Sequence, residues 1–231
     1  MKISQETTAI LKNFAHINQG IFFRKGNTVS TMSPGKNILS VATISDTVPQ
    51  DFGIYDLNNF LSVTSLFKEG SELEFDDKHV IIKGRGGRSK IKYRVADQSM
   101  IVVPPEKLPN VPAPDVKFTF SKEDFEWVLK TATVLGAPHV AVESDGTTVS
   151  LVTFDEANDS SHVNSLEMAD VDPEGKVFKL VFKAENLKVI PDTYVVEISS
   201  KGISAWTSTT AELKYWITIE TSSTVGKYNG S

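Results

Sequence analysis

Apolar residues recur at helical spacing in four places and alternate or cluster at strand spacing almost everywhere else. Helix one is predicted from an N-cap at Ser4, with Leu11, Phe14, Ala15 and Ile17 on one face. Helix two is predicted from Asp56, with Leu57, Phe60, Leu61 and Thr64 inward. Helix three is predicted from Ser121, with Phe125, Val128, Leu129, Ala132 and Leu135 inward. A short helix four is predicted around Ala184 to Ile190, stopped by Pro191. Strands are predicted at 20–25, 38–44, 53–55, 72–75, 80–83, 89–95, 140–143, 149–154, 163–168, 177–182, 194–199, 203–207 and 216–220. Turn signals such as Lys25-Gly26-Asn27, Asp145-Gly146 and Lys201-Gly202 separate them, and the small, polar tail from Ser222 is expected to fray.

Five of the ten prolines fall between Pro104 and Pro114. Proline lacks an amide proton and fixes φ, so this stretch is expected to run extended as a stiff connector. That gives domains at 1–103 and 116–231 joined by a linker at 104–115. The alternative is a long surface loop inside one domain. Phe120-Ser121-Lys122-Glu123-Asp124-Phe125 and Phe182-Lys183-Ala184-Glu185-Asn186-Leu187 share a pattern of strand end, polar turn and helix face. The pattern suggests duplicated strand–helix modules, four per chain.

Composition excludes more than it assigns. The 231 residues are 40% hydrophobic and 23% charged, as in ordinary globular chains. No apolar run reaches membrane-spanning length, and the first residues lack the apolar core of a signal peptide, so the chain is expected to stay in the cytosol where it is made. Without cysteine there is no thiol nucleophile and no thiolate zinc site. The four histidines, His16, His79, His139 and His162, show no metal-ligand spacing. There is no Gly-x-Ser-x-Gly turn. Asp76-Asp77 reads as a turn and Asp155-Glu156 as a strand end. Gly84-Arg85-Gly86-Gly87 lies between two strand-like runs, which favours a hairpin over a phosphate loop. No catalysis, cofactor or metal is expected. The net charge of −5 argues against strong phosphate binding unless the charge is segregated.

The opening segment Met1-to-Ile21 (MKISQETTAILKNFAHINQGI) and the segment Ile54-to-Phe67 (IYDLNNFLSVTSLF) resemble the DNA polymerase sliding clamps of T-even-type bacteriophages. The second half follows the same plan more loosely. The resemblance implies an α+β fold of two similar domains, with antiparallel sheets outside and two helices per domain on the inner face. It further implies a head-to-tail homotrimeric ring that encircles duplex DNA and tethers the replicative polymerase, giving processivity. A β-rich phage structural protein is the other non-enzymatic class, but it would not need paired helices at matching places in both halves.

In such a ring the inner helices are expected to be polar and mildly basic. The candidates for facing DNA are Lys2, Lys12, His16, Lys122, Lys130, Lys183 and Lys188. An ordinary solvated helix face would carry much the same residues. A sharper pattern lies elsewhere. Lys83 to Arg94 holds six cations and no acid, whereas Asp155 to Gly175 holds seven acids and no Lys or Arg. In sliding clamps generally, these positions correspond to the free edges of the two domains. Arg88, Lys90, Lys92 and Arg94 are therefore expected to meet Val163, Glu167 and Asp170 of a second copy. The rival reading turns the basic hairpin toward DNA or a clamp loader.

The resemblance also implies an apolar outer pocket beside the connector for peptides of the polymerase and other proteins. The candidates are Val102, Val103, Leu108, Val111, Pro112 and Trp216, with Tyr215 and Ile217 nearby. A clamp loader complex and RNA polymerase-associated late-transcription factors are further partners the resemblance implies. The expected setting is the cytoplasm of an infected bacterial host.

Overall fold

A computed structural model describes residues 1–67, 71–84, 88–158 and 160–227. The chain divides into two compact units, Met1–Leu108 and Pro109–Ser231.

The first unit opens with α1 (Gln5–Ile17), capped by Ser4, whose hydroxyl accepts the Thr7 N–H at 3.1 Å. Ile10, Leu11, Phe14 and Ile17 form its buried face, which packs on β2 (Gly26–Met32), β3 (Ile38–Val48) and α2 (Leu57–Ser65). Asp56 caps α2 through Asn59 N–H at 2.8 Å. The ladders named below are antiparallel. β1 (Ile21–Phe23) pairs with β4 (Phe52–Ile54), β2 with β3, and β5 (Ser71–Phe75), β6 (His79–Gly84) and β7 (Lys90–Arg94) form a three-stranded sheet in that order. Lys2 makes a further bridge to Glu72 of β5.

The second unit repeats the plan. β8 (Val116–Phe120) leads into α3 (Lys122–Leu135), whose cap Ser121 accepts the Asp124 N–H at 3.1 Å. Gly136 ends the helix at φ 64, in the left-handed region that glycine tolerates best. One sheet has the order β11 (Asn164–Glu167), β10 (Val149–Phe154), β9 (His139–Asp145), β12 (Lys176–Lys183), β16 (Thr224–Lys227). A second ladder runs β8, β13 (Tyr194–Ser199), β14 (Ile203–Ser208), β15 (Leu213–Thr218). The β8–β13 pairing answers the Lys2–Glu72 bridge, β9–β12 answers β1–β4, β10–β11 answers β2–β3, and β13–β14–β15 answers β5–β6–β7. The core here is aromatic: Phe120, Phe125, Phe182, Tyr194 and Trp206 meet mostly edge to face, with centroids 5.5–6.5 Å apart.

Several expectations need correction. Helix four is a single 3₁₀ turn, Ala184–Asn186. Its would-be cap, Lys183, makes no side-chain capping bond, and Leu187 at ψ 45 has already left helical geometry. Ile190 is barred from helical geometry by Pro191, so too few residues remain to offset the cost of nucleating a helix. The strand β2 was not expected. Gly26 does bend, at φ 124, but within a bulged ladder rather than a free turn. The tail does not fray at once, because Thr224–Lys227 pairs with β12. Residues 102–115 form neither helix nor strand, but Ala113 at φ 44 departs from a uniform extended path. The last predicted strand lies earlier, at Leu213–Thr218. Arg85, Gly86, Gly87, Asp159 and the tail beyond 227 lie outside the described residues.

Candidate functional site

Each helix turns one face to solvent. On α1, Lys12 and His16 are exposed four residues apart, and Lys2 is exposed just ahead of it. The start of α1 is fixed by Asp46, which accepts Ser4 N–H at 2.8 Å. Partial burial raises that carboxyl's pKa, but the bonds from the Ser4 N–H and from the Thr7 and Ser4 hydroxyls outweigh it, leaving the value below the ordinary range. On α3, Lys122 and Lys130 are exposed, with Lys122 Nζ 3.9 Å from Glu126. Lys183 is half-buried, 3.9 Å from Glu220, and Lys188 is exposed beyond the 3₁₀ turn. Every residue predicted to face DNA therefore reaches solvent, but acids beside Lys122 and Lys183 thin the positive charge.

The two charged runs occupy strand edges. Among the described residues, β7 is hydrogen-bonded only to β6 and β11 only to β10. Along β7, Lys90, Lys92 and Arg94 are exposed and alternate with the half-buried Ile91 and Tyr93. Tyr93 fixes the inner side, its ring edge-on to Phe60 at 5.3 Å and its hydroxyl donating to the Asp56 carbonyl at 3.0 Å. Lys83, the lysine of β6, is engaged by Glu74 at 2.6 Å, so among the described residues the unengaged charge lies on the outer strand. Arg88 is exposed just before it. On the acidic side, Val163 is 59% exposed, and Glu167 and Asp170 are exposed on and after β11. β6 and β7 pair from His79–Arg94 to Lys83–Lys90, so Gly84 leads from strand to strand and not into a helix.

The apolar residues predicted to hold a peptide are less uniform. Val102 and Leu108 are exposed, 38% and 41%, Val103 and Val111 are half-buried, and Pro112 is exposed. Trp216, by contrast, is 6% exposed, with the Lys214 ammonium 5.1 Å from its ring centre, and Tyr215 and Ile217 are core. Two further features lie outside the expected site residues. One is an open cleft of about 550 Å³ lined by Tyr55, Lys78, Arg94, Val95 and Met100. The other is the exposure of Trp127 and Val134 on α3, which the helical spacing of α3's apolar face does disclose.

Among the described residues no cluster of histidines and carboxylates could hold a metal ion, and no helix is long and apolar enough to cross a membrane.

Residues 3–103 match the family model of DNA polymerase processivity factors, and residues 117–221 match the C-terminal model of the gp45 sliding clamp. The chain is 33% identical to the sliding clamp of Vibrio phage KVP40 over 227 residues, covering 95% of this chain and 99% of that one. It is 32% identical to the sliding clamp of Enterobacteria phage T4 over 206 residues, 87% of this chain and 89% of that one. In fold it is similar to the Helicobacter pylori beta clamp bound to a DNA ligase peptide, with a TM-score of 0.66 at 15% identity. That likeness covers 96% of this chain and 65% of the longer bacterial one. The duplicated plan, the helix faces and the family matches across both halves lead to one conclusion: the chain belongs to the sliding clamps of T4-type phages, which are DNA polymerase processivity factors and not enzymes.

Proposed function

We propose that three copies of this chain join head to tail into a closed ring around duplex DNA, in the cytoplasm of the infected bacterium. The observation that carries this is the pair of unfilled edges with opposite charge, β7 with Lys90, Lys92 and Arg94, and β11 with Glu167 and Asp170 beyond it. An unpaired strand edge is a template for another strand, and opposite charge selects which one. Because the two edges differ, the contact is heterologous, and such contacts close into rings when the rotation per subunit fits. Arg88 and Val163 flank the same junction. The rival role for the basic strand, as a contact for DNA or the loader, would leave β11 without a partner.

Within that ring Lys2, Lys12, His16, Lys122, Lys130, Lys183 and Lys188 face the duplex. Acids beside Lys122 and Lys183 neutralise part of that charge, which suits a sleeve that has to slide. Strong phosphate contacts would add release steps at every advance. Retention comes from closure, and the polymerase is held at the primer end by raised effective concentration. A clamp loader opens the ring. The exposed Val102, Leu108 and Pro112, with Val103 and Val111, receive peptides of the polymerase and other partners. The peptide held by the Helicobacter beta clamp lends support by analogy of fold. Late-transcription factors would use the same surface.

A retention assay tests the reading. The protein is loaded on a nicked circular duplex and isolated with it, then the circle is cut once. Retention on the circle and release after linearisation is the expected result. Equal retention on both forms overturns encirclement.

A further inference from the structure

Trp127 is 53% exposed at the crest of α3, while the chain's other two tryptophans, Trp206 and Trp216, are 2% and 6% exposed. Val134, seven residues on and therefore on the same helical face, is 75% exposed, and Lys130 lies exposed between them. None of the three can reach the core. Phe125, Val128 and Ala132 form the buried side of the helix. The acids of α3 are confined to its first half. Asp124 is bonded to the Ser121 hydroxyl at 2.7 Å, and Glu126 lies 3.9 Å from Lys122. From Trp127 to Leu135 there is one cation and no acid.

We propose that Trp127 is a DNA contact, its indole resting on the sugar–phosphate backbone of the encircled duplex with Lys130 reaching the adjacent phosphate. This rests on the ring reading above. Three features favour duplex over a protein partner. The indole N–H is a donor without an acceptor function, which suits phosphate oxygens, and its flat apolar ring suits deoxyribose edges. Lys130 puts one ammonium on the crest beyond Glu126, the last acid of the helix, which itself lies 3.9 Å from Lys122. The apolar area is two side chains bordered by Thr131, Thr133 and Lys130, far less than the roughly 800 Å² per partner of a stable protein contact. The part of the contact between the ring and the sugars has no bound counterion to displace and no directional bond to break, which leaves one lysine and one N–H as the only groups on phosphate. It can hold the duplex off the wall without acting as a brake.

The chain has no cysteine, so Trp127→Cys creates a single attachment point for a photoactivatable azidophenyl group. Lys12→Cys, on α1, serves as the reference position. Each labelled full-length chain, checked for unchanged oligomer size, is mixed with linear duplex that rings can thread from the ends, and irradiated. Attachment of DNA at both positions is the expected result. Attachment at 12 but not at 127 overturns the Trp127 contact while leaving the ring reading intact. Attachment at neither position overturns both. Attachment of 127 to a second copy of the chain assigns the crest to a protein contact and overturns the proposal. In the native chain, duplex should abolish the acrylamide-quenchable part of the tryptophan emission. Persistence of that part in the presence of duplex overturns the proposal as well.

Discussion

Gly53 and Ala96 meet backbone to backbone: the Ala96 N–H donates to the Gly53 carbonyl at 2.8 Å, and a Cβ on Gly53 would lie 2.5 Å from the Ala96 oxygen. This contact ties the chain leaving β7 back across β4, and the Ile101 side chain closes the other side. Gly53→Ala should therefore destabilise the first unit by about 1–3 kcal/mol, the usual range for overpacking. Urea unfolding checks it, as a lower midpoint at unchanged slope.

The strand edges give a prediction about assembly. Lys90→Glu with Lys92→Glu should shift the protein from trimer to monomer by placing like charges along both edges. Adding Glu167→Lys and Asp170→Lys to the same chain should restore assembly, because every junction of the ring then pairs an acidic β7 with a basic β11 edge. Sedimentation at low and high salt reads the outcome. A trimer indifferent both to salt and to the double reversal removes edge charge as the determinant.

On α3 two aromatics two residues apart should behave oppositely. Phe125 is fully buried, edge-on to Phe120 at 5.5 Å, so Phe125→Ala should cost about 3–5 kcal/mol. Trp127 is mostly exposed, so Trp127→Ala should change stability by less than about 0.5 kcal/mol. Thermal unfolding of the two variants separates a packing role from a surface role.

Asp145 gives a pH prediction. Its carboxylate accepts the Thr148 N–H at 2.8 Å, the Thr147 hydroxyl at 2.7 Å and the Thr147 N–H at 2.8 Å, which together hold its pKa down to about 2 from an ordinary 3.8. A depressed folded pKa stabilises the ionised fold. The contribution is complete above the ordinary value and is lost as pH falls from there toward about 2. Asp145→Ala should thus lower Tm at neutral pH and flatten its fall across that acid window, as followed by circular dichroism.

Three of the four expected helices were legible because each carries its own start signal. Ser4, Asp56 and Ser121 all accept an N–H from the third residue onward, as their side chains suggest. The charged edges were legible because charge runs survive in one dimension. What escaped was set by neighbours. β16 exists because β12 offers it an edge, and Gly26 bends inside a ladder because β3 lies alongside. Trp216 lies beneath Lys214, a position that its aromatic character alone does not reveal. Helix four failed on energetics visible in the sequence, namely a missing cap and a proline seven residues after its expected start at Ala184, but the likeness to the Phe120–Phe125 segment points the other way.

The reduction of one helix to the turn at Ala184–Asn186 has a consequence for whatever approaches the assembled clamp. In the proposed ring an enclosed duplex would meet three α-helices and one short turn per subunit instead of four equal helices, so the wall it slides against would differ between the two halves of every chain.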